Sequence, residues 1–353
     1  TVILSDRRFT YDEAQQVIES GQGDLSDEIT ALNALARKLR AARFRNGSIS
    51  FEREEAKFDL DENGKPLRVY FKEMKEANQL IEEFMLLANR KVAEFVGRKR
   101  QGVQNSERTF VYRVHDKPNS DKLAQLRSFV MRFGYQMKSD AVGKALAKDI
   151  NKLMTNVHGK QEENLISTLA IRTMAKATYT TTNIGHYGLA FDYYTHFTSP
   201  IRRYPDLQIH RIIKDSLRGR LGEKRIGHYT QILPEVAKHA SEMERRADEA
   251  ERETIKLKKV QYMENHIGET FAGVISGVAE YGFFVELENT VEGLVRVTSL
   301  TDDFYQYYEE TYELVGGATN RRFKLGQQVR VTVDNCDRIM RTIDFTLADS
   351  DEN

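Results

Sequence analysis

The chain changes its periodicity once, near Gly268, and that change limits the folds open to it. Upstream, apolar residues recur at helical spacing. Downstream, short segments alternate apolar and polar residues between glycine turns. The two patterns demand different backbones, so the chain must build two kinds of core. Leu32, Leu35, Ala36 and Leu39 mark one helical stripe, and Leu80, Phe84, Leu87, Ala88 and Val92 mark another between about Glu73 and Arg98. After Gly268, ETFAGVISGVAEYGFFVELENTVEGLVRVTSL and KLGQQVRVTVDNCDRIMRTIDFTL read as about five short strands, which suits a small OB-type barrel. The expected fold is a mixed helix and strand (α+β) domain over 1–266, followed by an all-β barrel over 267–350.

Several smaller elements are legible. SDRRFTYDEAQQVIESG reads as a strand end and then a helix, with Asp12 and Glu13 in its first turn. SISFEREEAKFDL and PLRVYF flank the turn DENG as a hairpin. Asp59, Asp61, Asn63 and Gly64 imitate the start of a calcium loop, but its twelfth position is Tyr70 where a bidentate Glu is required, so the turn is preferred. Val111–His115 is strand-like, and helices are expected near 121–137, 140–153 and 161–177. A charged helix from about Pro234 to His266 carries Val236, Ala240, Met243, Ala247, Ala250, Thr254 and Leu257 at alternating four- and three-residue steps, a coiled-coil-like seam.

Lys plus Arg and Asp plus Glu both number 53, so any nucleic-acid footprint must be local rather than global. No apolar run approaches a membrane span, and the polar opening TVILSDRRFTYDEA does not read as a signal peptide. One cysteine, Cys336, rules out an internal disulfide framework and a cysteine zinc site. His186, His196 and His210 are too far apart for zinc-ligand spacing, so no metal site is expected from these residues. The composition fits a cytoplasmic protein.

The stretch 179–211, YTTTNIGHYGLAFDYYTHFTSPIRRYPDLQIHR, concentrates aromatics, guanidinium groups and imidazoles. An apolar core would not select that mixture. Arginine forks match phosphate oxygens, and aromatic faces stack on bases of any sequence. Pro200 fixes the backbone before a helix beginning near Asp206, so Arg202 and Arg203 sit at a loop-to-helix junction that favours anions.

The runs NIGHYGLA at 183–190 and YTHFTSPIRRY at 194–204, with Asp206, His210 and Arg211, resemble the signature of the ribonuclease II / ribonuclease R family of exoribonucleases. Gly273, Gly282-Phe283-Phe284-Val285 and Glu292-Gly293-Leu294-Val295 resemble the ribosomal protein S1-type RNA-binding domain, and the segment DDFYQYYEETYELVGGATNRRFKLG looks like the insertion seen in such domains. The resemblance implies an RNB catalytic domain and magnesium-dependent 3′→5′ hydrolysis of single-stranded RNA to nucleoside 5′-monophosphates. The family's metal motif, D-x-D-D-A, does not occur in these residues, and the chain opens without Met in what matches the middle of a domain. The expectation is therefore the C-terminal part of such an enzyme, with magnesium ligands upstream and no cofactor of its own, inactive by itself. The alternative is a non-catalytic module that grips single-stranded RNA. Association with the upstream part or with a second copy is expected, because a cut domain exposes apolar surface.

The resemblance also implies roles. The essential arginine of the family falls on Arg202, with Arg203 as the neighbouring choice, and Glu251 matches an acidic residue that helps hold the 3′ end. Tyr11 matches a tyrosine near the terminal nucleotides, and Phe58 an aromatic clamp, with a core strand residue as the equal alternative. Glu82 or Glu83 matches another acidic position, the inward one of the two being undecided. His186 and Tyr204 join the RNA surface with the signature, while Arg113, His115 and Pro118 are assigned to channel wall or packing. In the barrel, Phe271, Tyr281, Phe284 and Arg296 are candidate contacts, and of the adjacent Phe283 and Phe284 only one can face outward.

Overall fold

A computed structural model describes residues 2–49, 55–72, 74–97, 109–138, 143–160, 162–309 and 311–348. The chain divides into two compact units: Thr1–Phe51, Met74–Asn156 and Leu169–Arg245 form the first, and Glu52–Glu73, Val157–Thr168 and Arg246–Asn353 the second.

Helix α1 (Tyr11–Ser20) starts at a capping box in which Thr10 and Glu13 exchange side-chain and backbone hydrogen bonds. Helix α2 (Ser26–Arg45) follows. Its buried residues are Asn33, Ala36 and Arg43, whereas Leu32 and Leu35, expected inside, are exposed. The reason lies across the interface. Glu76 accepts hydrogen bonds from Asn33 and Arg37, and Glu83 takes Arg43. Polar partners, rather than apolar area, thus set the rotation of α2. Strands β1 (Glu55–Leu60) and β2 (Pro66–Lys72) form the expected hairpin. In its turn the Asp61 carboxylate accepts from the amides of Asn63 and Lys65, an Asx turn in place of a calcium loop.

Helix α3 (Glu76–Gly97) buries Ala77, Leu80, Glu83, Leu86, Asn89, Ala93 and Val96, a face one residue away from Phe84, Leu87, Ala88 and Val92, which are half-buried. Strand β3 (Tyr112–Val114), α4 (Ser120–Arg132), α5 (Gly143–Val157), α6 (Glu163–Thr173), β4 (Thr178–Thr180) and α7 (Tyr204–Leu217) follow. Strands β3 and β4 pair antiparallel. Around them Phe110, Val111, Tyr112, Val114, Tyr179, Ile209, Ile212, Tyr229, Leu233 and Ala237 pack into one core of the first unit.

Helix α8 (Glu223–Met263) is longer than the charged run suggested and contains Pro234. Its buried residues in the first unit, Tyr229, Leu233, Ala237 and Ser241, step by four, and every residue from Arg245 to Arg252 is exposed. The expected seam through Met243, Ala247, Ala250 and Thr254 is therefore not buried. Alanine offers too little apolar area to draw so charged a stretch out of water.

In the second unit, β5 (Thr270–Ala279), β6 (Gly282–Leu287), β7 (Glu292–Arg296), β11 (Gln328–Asp337) and β12 (Thr342–Leu347) close into a barrel ordered β11-β12-β7-β6-β5. Only the β12–β7 pairing is parallel among these five. The insertion supplies a separate three-stranded sheet, β8 (Tyr305–Tyr308), β9 (Glu313–Gly316) and β10 (Arg322–Lys324). Phe283 is fully buried and stacks on Phe323 at 4.7 Å. Two glycines of the S1-like pattern are required by shape. Gly282 has φ +150° with Val295 O 2.2 Å from where a Cβ would sit, and a Cβ on Gly293 would meet the Phe345 ring at 2.5 Å.

Candidate nucleic-acid interface

The signature stretch is built onto the β3–β4 ladder of the first unit. The register sets Arg113 opposite Tyr179, so the two side chains share a face. The Arg113 guanidinium lies 4.6 Å from the Tyr179 ring centroid and makes a forked pair with Glu244 at 2.5 and 3.0 Å. The chain then returns past β3: Arg113 N–H donates to Tyr194 O at 3.0 Å, and Thr195 Oγ1 to Val111 O at 2.7 Å. The Tyr179 hydroxyl meets His196 Nδ1 at 2.8 Å.

Two helices hold the same loop. Asn89, buried on α3, accepts from the Phe197 amide at 2.9 Å and donates to the Tyr194 hydroxyl at 3.2 Å. On α7, His210 donates Nε2–H to Phe197 O at 2.9 Å while its ring stacks on that of Phe197 at 4.1 Å. The turn after Ser199 then delivers the chain into α7, with Arg203 as N-cap and Pro205 in the first turn.

Asp206 separates the roles of the two arginines. Fully buried in the first turn of α7, its Oδ2 accepts from the Ser199 amide at 2.8 Å and from Arg203 Nη2 and Nε at 2.8 and 3.2 Å. A carboxylate is favoured at this end of a helix. Its Oδ1 has no partner among the described residues. Arg203 is therefore committed to the fold. Arg202 is exposed, with no ion pair among the described residues.

His115, His186 and His196 are held in the neutral form. Burial, then the charges of Arg203, Arg113 and neighbours, push His196 down to about 2. Burial, then His115 and Arg113, push His186 down to about 3. His115 is lowered mainly by burial, and its two nitrogens are spoken for, Nε2 by Ala175 O at 2.7 Å and Nδ1 by the Gly188 amide at 2.9 Å. Burial also pushes the Tyr179 phenol up to about 12. These three imidazoles thus add no positive charge at the turn, where Arg202 and Arg203 carry it. A cavity of about 570 Å³ opens beside the NIGHYG loop, lined by His115, Asn183, His186, Tyr187 and Lys144 among others.

The other candidate residues are distributed as follows. Glu83 is the inward one of its pair, 3% exposed and 2.5 Å from Arg43 Nη2, while Glu82 is partly exposed with Arg43 3.7 Å away. His186 spends Nδ1 on the Leu189 amide, and Tyr204 is half-exposed at the start of α7. Tyr11 is half-exposed at the start of α1. Phe58, on β1, and Glu251, exposed on α8, belong to the second unit. So do Tyr281, 57% exposed, and Phe284, whose rings meet edge to face at 6.2 Å. Strand alternation turns Phe283 inward and Phe284 outward, which decides that pair. Phe271 packs against the barrel core. Arg296 lies 3.1 Å from Asp344 Oδ1, but without hydrogen-bond alignment, so the contact is a charge pair only. Sequence reasoning missed Asn89 and Glu244. The only signal for Asn89 was a short polar residue interrupting an apolar helix, and Glu244 was hidden among many helix charges.

The RNB domain family profile matches residues 1–219, and the S1 RNA binding domain profile matches residues 264–347. The chain belongs to the RNB family. It is 37% identical to Ribonuclease R 1 of Lactococcus lactis over 98% of this chain and 42% of that protein. It is 39% identical to Ribonuclease R of Aquifex aeolicus over 98% of this chain and 49% of that one. The RNB chain thus spans about half the length of the curated relatives it matches. Among solved structures, Mycoplasma genitalium RNase R in complex with ribose methylated single-stranded RNA superposes with a TM-score of 0.87 at 27% identity, covering 97% of this chain and 53% of that one. No helix among the described residues is long and apolar enough to cross a membrane.

Proposed function

We propose that this chain is the part of a 3′→5′ exoribonuclease that grips single-stranded RNA and clamps the phosphate to be cut. The observation that carries the reading is the division of labour at the signature turn: Asp206 ties Arg203 down, and Arg202 is left exposed beside it. A guanidinium keeps its charge at any working pH and offers two parallel donors to phosphoryl oxygens. Burial of its loop partners fixes the turn, so Arg202 needs little reorganisation as charge develops on the phosphate. Tyr204 on the same turn, and Tyr281 and Phe284 on the barrel, offer faces for sequence-tolerant stacking. The contact set named from the sequence (Arg202, Arg203, Glu251, Tyr11, Phe58, Glu82, Glu83, His186, Tyr204, Tyr281, Phe284 and Arg296) narrows on this reading. Arg203, Glu83 and His186 act by holding the site rather than by touching RNA.

Among the described residues no three His, Cys, Asp or Glu side chains converge, so these residues do not fit the family's magnesium pair, and its carboxylates are to be sought on an upstream segment. The test is incubation of the chain with end-labelled single-stranded RNA and magnesium. Salt-dependent binding without mononucleotide release is expected. Progressive release that a chelator abolishes would overturn the assignment of the metal site. In a full-length protein carrying both parts, Arg202→Ala should raise the activation barrier by about 2–4 kcal/mol with little change in RNA affinity. Near-complete activity in Arg202→Lys would exclude the forked role.

A further inference from the structure

Resting on the RNA-binding reading above, we propose that His196 is an RNA-contacting residue, whose Nε2–H is held as a donor by Tyr179 and takes a phosphodiester oxygen beside Arg202. The ring is held by two tyrosines. Its Nδ1 meets the Tyr179 hydroxyl at 2.8 Å, the Tyr179 ring stands edge-on at 5.5 Å, and the Tyr194 ring stands edge-on at 5.7 Å.

The tautomer follows from the phenol. If Nδ1 carried the proton and donated it to the Tyr179 oxygen, the phenolic proton would be left without a partner, because the bond to His196 is the one hydrogen bond this hydroxyl makes among the described residues. The phenol therefore donates to Nδ1, and the imidazole proton sits on Nε2. Nε2 itself has no partner among the described residues, yet it is not among the atoms sealed from solvent without a partner. One ring nitrogen is anchored, and the other is an open donor.

The surroundings select what that donor takes. Of the guanidinium groups near the ring, Arg203 is paired with Asp206 and Arg113 with Glu244, which leaves Arg202 as the cation without an ion pair among the described residues. An anionic acceptor is favoured there over a base edge or a neutral hydroxyl. Because the imidazole stays uncharged, it adds a directional bond without adding a second positive charge beside Arg202. Its contribution should also be indifferent to pH across the range in which ordinary histidines titrate.

The experiment measures affinity of the chain for a labelled single-stranded RNA, at fixed salt, for wild type, His196→Ala, His196→Gln and Tyr179→Phe. His196→Ala should weaken binding by about tenfold, the size of a hydrogen bond to a charged acceptor. His196→Gln, which keeps an uncharged N–H, should recover most of the loss. RNA bearing a neutral methylphosphonate at successive linkages should weaken wild type at one linkage by a similar factor, and His196→Ala not at all there. Nitrogen-15 spectra of wild type should show the Nε2–H tautomer unchanged from pH 8 to pH 5. They decide the assignment even if the alanine variant fails to fold. Wild-type affinity in a folded His196→Ala, or an Nδ1–H or protonated ring in that pH range, overturns the proposal. A wild-type chain that binds no RNA would instead remove the RNA-binding reading on which it rests.

Discussion

The signature turn and the barrel both present cationic and aromatic groups to solvent, but they fix those groups with opposite materials. In the barrel the means is apolar shape. Phe283 points inward because Phe284 points outward, and the glycines at 282 and 293 let strands and rings approach more closely than any side chain would allow. At the turn the means is a set of buried polar bonds: Asn89 to Phe197 and Tyr194, Asp206 to Ser199 and Arg203, and Arg113 to Glu244. Apolar packing is tolerant of direction and intolerant of volume. Buried hydrogen bonds are the reverse, since removing one partner strands the other. A turn that fixes one guanidinium, that of Arg203, at one angle is better served by the second.

The comparison can be broken most severely at Asp206. Asp206→Ala leaves the half-buried Arg203 and the Ser199 amide without their acceptor, and should lower the unfolding free energy of the first unit by about 3–5 kcal/mol. Denaturant titration checks this, and an effect below about 1 kcal/mol would mean that the network does not hold the turn. In the barrel the corresponding change is Gly293→Ala, which drives a methyl into the Phe345 ring. Overpacking of this kind costs about 1–3 kcal/mol, and it should leave the tautomer and environment of His196 unchanged.

Acid sharpens the contrast by the smallest steps. His196 and His186 titrate far below their unfolded value, so between about pH 6.5 and 3 the unfolded chain binds more protons than the folded one. Stability of the first unit should therefore fall progressively as pH drops below about 6.5, because both imidazoles resist protonation in the folded state. The barrel insertion carries the opposite kind of group. Asp303 is held down to about 2 by the hydroxyl and amide of Thr319 and other amides, so its contribution persists until the pH falls below the ordinary aspartate range. Melting curves at pH 7, 6, 5 and 4 should show the first unit weakening before the second. Parallel loss in both units would show that the buried imidazoles do not govern acid stability.

How much of this was legible in the chain varied with the kind of interaction. The barrel was readable because strand alternation and glycine spacing are local: each residue's side is set by its parity and each turn by its glycine. The Asx turn at Asp61 and the start of α7 were local too. The face of α3 was not, because Glu83 and Asn89 look like surface residues until Arg43 and Phe197 are brought to them. The rotation of α2 and the place where α8 leaves the core failed for the same reason, since their partners lie far away in sequence.

The sequence alone determined the two classes of core, the family to which the chain belongs, and the density of phosphate- and base-seeking groups between residues 179 and 211. It favoured Arg202 over Arg203 only by resemblance, with no physical reason. Only the tertiary structure gave the two different surroundings, because the carboxylate that claims Arg203 is buried and positioned by the first turn of α7. The choice depends on which guanidinium an oxygen can reach in three dimensions, and that distance is not written in the order of the residues.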